Sequence, residues 1–291
     1  MLNKLVKKSG FEAFQKDLKR LDLSKLNPII TEFKDIFYLE DNNLEHQLDV
    51  YLRNDGKRKP ILIDIHGGGF ISHDKSVNRL FGNAMAERGY VVFNINYRLA
   101  YPTYNVFNQI IDIDAAVKWI INHADDYNAD VERIYIAGHS SAGVEAVAES
   151  LLTVDSTMLK DFAIDDKLYR YKGIIIDCGL MYFYKKSIAY WGMRNMVFPK
   201  GYLKDKRYQY LRFEDNNALS KLPPIVLITN EKDELKGMTY YFKGVLDNVG
   251  VRNCLIDDGG EGHMGILFSP YNTVNQKIIN KIQIFFETNQ Y

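Results

Sequence analysis

Apolar residues along this chain recur first at helical spacing and then in short unbroken runs. Between residues 7 and 26, Phe11, Phe14, Leu18, Leu21 and Leu26 fall three to five positions apart with Lys, Asp and Arg between them. That spacing predicts one amphipathic helix or two short ones. From Ile36 the pattern changes: FYLE and QLDVYLR, closed by the DGKRKP turn, read as a hairpin feeding a buried strand at 61–65. A helix over 77–88 stopped by Gly89, the apolar run YVVFNINY, and a helix within 106–123 striped by Ile110, Ile113, Ala116, Val117 and Ile120 follow in turn. RIYIAG predicts a short strand and 142–152 a helix; GIIIDCG and PIVLIT predict two more strands. A helix at 237–246, a strand at 252–257 and a helix at 275–286 complete the chain.

Strands and helices alternating at this interval predict an α/β fold with a mostly parallel central sheet flanked by helices. No repeat, low-complexity tract or linker divides the chain, so residues 1–291 read as a single domain. Residues 179–221 break the rhythm, being rich in Tyr, Phe, Met and Trp without strand alternation. So long an insertion is expected to fold as helices over the strand ends. The first 30 residues either support the packing or cover a site.

With 291 residues, 46% hydrophobic and 25% charged, the chain can bury one large core and is too apolar for a disordered polymer. Thirty-seven Lys and Arg balance 37 Asp and Glu, so no basic surplus draws nucleic acid or an anionic bilayer to the surface. No apolar run reaches the length of a membrane span. The two cysteines, Cys178 and Cys254, allow at most one disulfide and no metal cluster. The first residues lack the apolar core of a signal peptide, and a cytoplasmic location is the expectation.

The strongest chemical signal is RIYIAGHSSAG at 133–143, where a buried strand runs into a Gly-His-Ser turn and a helix start of small residues. Such a turn lifts a serine hydroxyl above a sheet, and bulky neighbours would collide with strand and helix. Ser140 is the candidate nucleophile; Ser141, with His139 rather than glycine two places before it, is the weaker alternative. HGGGF at 66–70 follows a buried strand, where unencumbered amides can face a developing oxyanion. Gly68, Gly69 and the residue after the nucleophile, Ser141, are the candidate donors.

A serine needs a base, and the base needs an oriented tautomer. Of six histidines, His263 in DDGGEGHMG follows the last strand in a glycine-rich loop; His46, His73, His123 and His139 lack such a context, and His66 is expected to order the glycine loop. Asp233 in PIVLITNEKDEL is the candidate acid, with Glu231 and Glu234 competing; Asp257, Asp258 and Glu261 read as a solvated acidic loop.

The order Ser, Asp, His together with the glycine loop resembles the hormone-sensitive-lipase-like (HGGG motif) esterase family of α/β hydrolases. The resemblance runs from about residue 35 to the end and includes NINYRLAYP, the helix and loop leading to the nucleophile strand, and LSKLPPIVLITNEKDEL. The chain departs from the family's Gly-Asp-Ser-Ala-Gly-Gly elbow with Gly138, His139, Ser140, Ser141, Ala142 and Gly143, and Ile71, Ser72, His73 and Asp74 replace a further glycine turn.

The resemblance implies a carboxylic ester hydrolase for short-chain acyl esters, working through a Ser-His-Asp triad and an acyl-enzyme. It also implies a cap formed by residues 1–30 and 179–221, with Tyr182, Phe183, Tyr184, Tyr190, Trp191, Met193 and Met196 as candidate walls. An amidase or arylformamidase-like hydrolase, or a catalytically silent hydrolase-like binding protein, are the alternatives. The chemistry calls for no metal or organic cofactor. The partners expected are a small-molecule ester and no nucleic acid or membrane, and the last strand or helix leaves room for a homodimer.

Overall fold

The computed structural model describes residues 2–165, 167–183, 188–257 and 262–288. Eight strands form one sheet: β1 Ile30–Phe37, β2 Gln47–Arg53, β3 Lys59–Ile65, β4 Val91–Ile95, β5 Ala129–His139, β6 Tyr171–Asp177, β7 Ile225–Thr229 and β8 Asn253–Asp257. Their spatial order is β1-β2-β4-β3-β5-β6-β7-β8. The β1/β2 and β2/β4 pairs are antiparallel and the remaining pairs are parallel. The predicted hairpin is present, although its first strand begins at Ile30 rather than Ile36.

Among the described residues the helices are α1 Leu2–Leu18, α2 Arg79–Glu87, α3 Val106–Asn122, α4 Ala142–Leu152, α5 Ser156–Phe162, α6 Ile188–Val197, α7 Lys206–Tyr210, α8 Lys236–Val249, α9 Gly265–Phe268 and α10 Thr273–Glu287. Alternate strand residues sort to two cores, as the period of two requires. Ile61, Ile63, Ile65, Ile134, Ile136, Ile174 and Ile176 meet α3, α4 and α5 on one face. Leu62, Val92, Ala137, Ile175 and Val226 meet α2, α9 and α10 on the other. Both faces of β3, β4, β6, β7 and the second half of β5 are thus dry, which is why these strands read as unbroken apolar runs.

Helix α1 packs Phe14 and Leu18 against the second core, while Phe11, expected on the same stripe, is 62% exposed. The helix turns Gly10 inward instead. A Cβ at Gly10 would sit 3.1 Å from Ser72 Cβ, so glycine lets the helix backbone close onto the loop after β3.

The insertion carries α6, α7 and short 3₁₀ turns; Phe198 gathers Phe183, Tyr202 and Tyr208 of the same insertion and joins it to the body through Phe107 on α3. Phe183 is buried in the main core and Trp191 is 62% exposed, so these two suggested wall residues face opposite environments. Tyr184, Asp258 and Glu261 lie outside the described residues. Among the described residues no helix is long and apolar enough to cross a membrane, and Cys178 and Cys254 are both free thiols.

Candidate active site

The C-terminal ends of β3, β5, β6, β7 and β8 form one edge of the sheet, and every candidate catalytic group lies in a segment leaving that edge. This is where an α/β sheet opens a crevice, on either side of the point where strand order reverses.

Ser140 sits between β5 and α4 with φ 55°, a left-handed conformation that a non-glycine residue adopts at a cost of about 1–3 kcal/mol. Its amide donates to Asp177 O at 2.9 Å, and its carbonyl accepts from Leu180 N at 2.9 Å and Gly143 N at 3.1 Å. The turn is too tight for larger neighbours: a Cβ at Gly138 would lie 2.2 Å from Ala142 O, and one at Gly143 would lie 2.9 Å from Met181 Sδ. Ala142 fits, fully buried, so the departure from Gly-x-Ser-x-Gly leaves the turn intact.

His263 joins the other two candidates. Its Nε2 stands 2.9 Å from Ser140 Oγ and its Nδ1 stands 2.8 Å from Asp233 Oδ1. A carboxylate oxygen accepts only, so Nδ1 carries the proton toward Asp233 and Nε2 is left to accept from the serine. Asp233 Oδ1 also accepts from Leu235 N at 3.0 Å, and Oδ2 accepts from Thr229 Oγ1 at 2.7 Å. Burial opposes ionisation of Asp233, but the hydrogen bonds from His263, Thr229 and the Leu235 amide outweigh it and hold the carboxyl below its ordinary range.

The competing acids are elsewhere. Glu231 and Asp257 pair with Lys236, and Glu234 is exposed. Ser141 is fully buried with its Oγ accepting from Phe70 N at 3.2 Å, so its hydroxyl braces the glycine loop and does not face His263.

The glycine loop folds back on itself at φ 113° for Gly68 and 61° for Gly69. A Cβ at Gly67 would meet His139 O at 2.6 Å and one at Gly68 would meet Ser72 O at 2.0 Å, which accounts for glycine at both positions. His66 Nδ1 donates to Gly67 O at 2.7 Å, and its ring stacks on Tyr97 at 4.4 Å between centroids. Burial drives the His66 pKa down to about 4, so the ring is neutral and structural. Among the described residues the amides of Gly68, Gly69 and Ser141 have no hydrogen-bond partner.

Several supporting residues escape sequence reasoning. His139, given no role there, lies sealed between Asp64 and Asp177 directly beneath the turn. Asn230 Nδ2 donates to Gly262 O at 2.9 Å and Arg20 donates to His263 O at 3.3 Å, fixing the histidine loop from two sides. The available signal was polar residues inside apolar strands, Asp64 in ILIDI and Asp177 in GIIIDCG. Arg20 carried no signal at all.

Cys178, Asp233 and His263 bring three metal-type donors within 4.8 Å of one another. Two of them are already engaged in the Asp–His–Ser chain. Cys178 Sγ accepts from Met264 N at 3.3 Å, and burial pushes its thiol well above the usual range, away from the thiolate a metal requires. The arrangement suits proton transfer better than metal coordination.

Residues 48–180 match the BD-FAE family model. Isoprenylcysteine alpha-carbonyl methylesterase ICME of Arabidopsis thaliana is 27% identical over 199 residues, covering 65% of this chain and 46% of its own length. Esterase LipQ of Mycobacterium tuberculosis is 30% identical over 124 residues, 40% of this chain and 28% of LipQ. The matched part of the chain thus spans less than half the length of these curated relatives. Among solved structures, Esterase B from Lactobacillus rhamnosis superposes with a TM-score of 0.86 at 19% identity, covering 98% of this chain and 93% of Esterase B. A bacterial heroin esterase superposes with a TM-score of 0.71 at 18% identity, covering 96% of this chain and 89% of its own. The chain thus resembles the BD-FAE family over residues 48–180, and nearly its whole length shares the α/β-hydrolase fold of the solved esterases.

Proposed function

We infer that the protein is a serine carboxylesterase that cleaves short-chain acyl esters through Ser140, His263 and Asp233. The observation that carries this reading is the continuous hydrogen-bonded chain from Asp233 Oδ1 through both nitrogens of His263 to Ser140 Oγ, at 2.8 and 2.9 Å. The esterase names of the relatives support the bond type.

Ser140 Oγ attacks the ester carbonyl as His263 Nε2 takes its proton, and Asp233 stabilises the imidazolium that forms. The unpartnered amides of Gly68, Gly69 and Ser141 receive the oxyanion, where one well-placed donor contributes about 3 kcal/mol to the transition state. The imidazolium returns its proton to the leaving alcohol. Water, activated by the same histidine, then attacks the acyl-enzyme and releases the acid. Residues 1–30 and 179–221 act as the cap that shapes substrate choice, and no cofactor enters the cycle.

The test is a panel of p-nitrophenyl esters from acetate to long chains, with an aryl formamide included and Ser140→Ala measured beside the wild type. Cleavage of short esters that vanishes in Ser140→Ala supports the reading. Cleavage of the formamide alone would make the protein an amidase, and cleavage of nothing would make it a silent member of the fold.

A further inference from the structure

Outside the Asp233–His263–Ser140 chain, a second hydrogen-bonded series runs from the N-terminal helix into the glycine loop. Asp17 Oδ2 on α1 accepts from His73 Nε2 at 3.0 Å, and Ser72 Oγ, its own proton turned to Gly68 O, accepts from His73 Nδ1 at 2.8 Å. The Ser72 hydroxyl donates to Gly68 O at 2.8 Å. The same carbonyl also accepts the amides of Ile71 at 3.2 Å and Ser72 at 3.1 Å, so three donors converge on one oxygen.

That carbonyl belongs to the peptide whose N–H is the amide of Gly69. Donors at the oxygen of a peptide polarise its N–H and strengthen the bond it can give. They also fix the plane in which the N–H points. Gly69 is exposed and its amide has no partner among the described residues, so the polarised N–H is available to a ligand.

Helix α1 is fitted to this task along one face. Gly10 closes on Ser72, the Phe14 ring lies 5.5 Å from the His73 ring, and Asp17 meets Nε2, at helical spacings of four and three. Arg20, one turn further on, pairs with Asp17 at 3.2 Å while donating to His263 O. Burial opposes a charge on Asp17, but His73 and Arg20 outweigh it and hold the carboxyl below its ordinary value.

The geometry points to Asp17, His73 and Ser72 as positioning residues for the oxyanion hole: a relay from the N-terminal helix that fixes and polarises the Gly68–Gly69 peptide so that the Gly69 N–H meets the oxyanion. This rests on the esterase reading and on Gly69 as a donor in it. It makes α1 part of the catalytic geometry as well as a cover.

The experiment compares Ser72→Ala, Asp17→Asn, their combination, Ser72→Thr and Ser140→Ala on one short p-nitrophenyl ester, with active sites titrated by a phosphonate. Ser72→Ala and Asp17→Asn should each lower kcat per titrated site roughly tenfold, with KM changed by no more than about twofold. The pair should be no worse than the stronger single change, since both cut one series. Ser72→Thr, which keeps the hydroxyl, should recover most of the rate. The Ki of an alkylboronic acid, whose serine adduct carries the same anion, should rise in step with the fall in kcat.

A merely structural role would lower the titrated fraction and the melting temperature while leaving kcat per site unchanged. That result, with Ser140→Ala inactive, overturns the relay and leaves the esterase reading standing. Turnover retained by Ser140→Ala overturns both. Asp17 lies near the surface, so its variant answers the question even if Ser72→Ala does not fold.

Discussion

His139 Nδ1 stands 2.9 Å from Asp177 Oδ2, at facing positions on β5 and β6, and neither side chain reaches solvent. The other ring nitrogen stands 2.9 Å from Asp64 Oδ1 on β3, whose second oxygen accepts from Asn78, and the Phe81 ring meets the imidazole edge-on. One ring therefore ties together the three strand ends that carry the glycine loop, Ser140 and Cys178. Burial pulls its pKa down, but the two carboxylates more than reverse this and raise it to about 9 from an ordinary 6.5.

A histidine whose pKa is raised on folding adds stability that is complete below pH 6.5 and lost as pH climbs through 9. Urea unfolding at pH 6 and pH 9.5 should therefore show wild-type stability falling more steeply than that of His139→Gln, with the variant the weaker of the two at pH 6. Identical pH slopes would mean that the ring is neutral in the folded protein.

Ser140→Ala should lower turnover by roughly 10³-fold or more while circular dichroism and melting stay close to wild type, because the change removes one oxygen and keeps Cβ and the backbone turn. His263→Ala should match it. Asp233→Asn should leave more residual rate than either, since an amide can still contact the ring but in the wrong sense. A His263→Ala enzyme with unimpaired turnover would remove the base from the mechanism.

The parallel core was legible because strands buried on both faces print as apolar runs, and Ser140, His263 and Asp233 were legible because each follows such a run in a turn-rich segment. The start of β1 is not legible, since its charged Glu32, Lys34 and Asp35 break the apolar pattern that marks a strand. His139 and Arg20 were illegible for a different reason. Their partners lie 38 and 75 residues away for His139, and 243 residues away for Arg20, and no local period encodes such pairings. Phe11 lies off the packed face because the absence of a side chain at Gly10, and not apolar content, sets which face of the helix closes on the loop.

The glycines of the loop are not equivalent. Gly68 combines φ 113° with a Cβ position 2.0 Å from Ser72 O, whereas a Cβ at Gly69, φ 61°, meets nothing within 4 Å. Gly68→Ala must therefore move backbone, and should cost several kcal/mol of stability together with most of the activity. Gly69→Ala bears only the left-handed penalty, about 1–2 kcal/mol, and should keep a larger share of kcat. Thermal melts and ester turnover of the two variants check the order; equal losses would mean that the loop relaxes around either side chain.

Thr229 donates to Asp233 Oδ2 at 2.7 Å from the last residue of β7, leaving Oδ1 for His263. Thr229→Val keeps the shape and removes the donor, so the carboxylate can rotate and its pKa rises toward the ordinary value. A three- to tenfold fall in kcat with little change in KM is expected on a short ester. An unchanged kcat would show that the His263 and Leu235 bonds are enough to hold the acid.

The two adjacent serines give the sharpest contrast. Ser141 Oγ accepts the Phe70 amide in a fully buried position, and Ser141→Ala leaves that N–H unpaired while sparing the Ser141 backbone amide, the candidate oxyanion donor. An unsatisfied buried donor costs about 1–3 kcal/mol. Ser141→Ala should therefore melt measurably lower than wild type yet retain substantial turnover, the reverse of Ser140→Ala. Melting curves and phosphonate labelling of both variants separate the roles: the reagent should still modify Ser141→Ala and should fail on Ser140→Ala. Labelling that survives in Ser140→Ala and disappears in Ser141→Ala would exchange the two assignments.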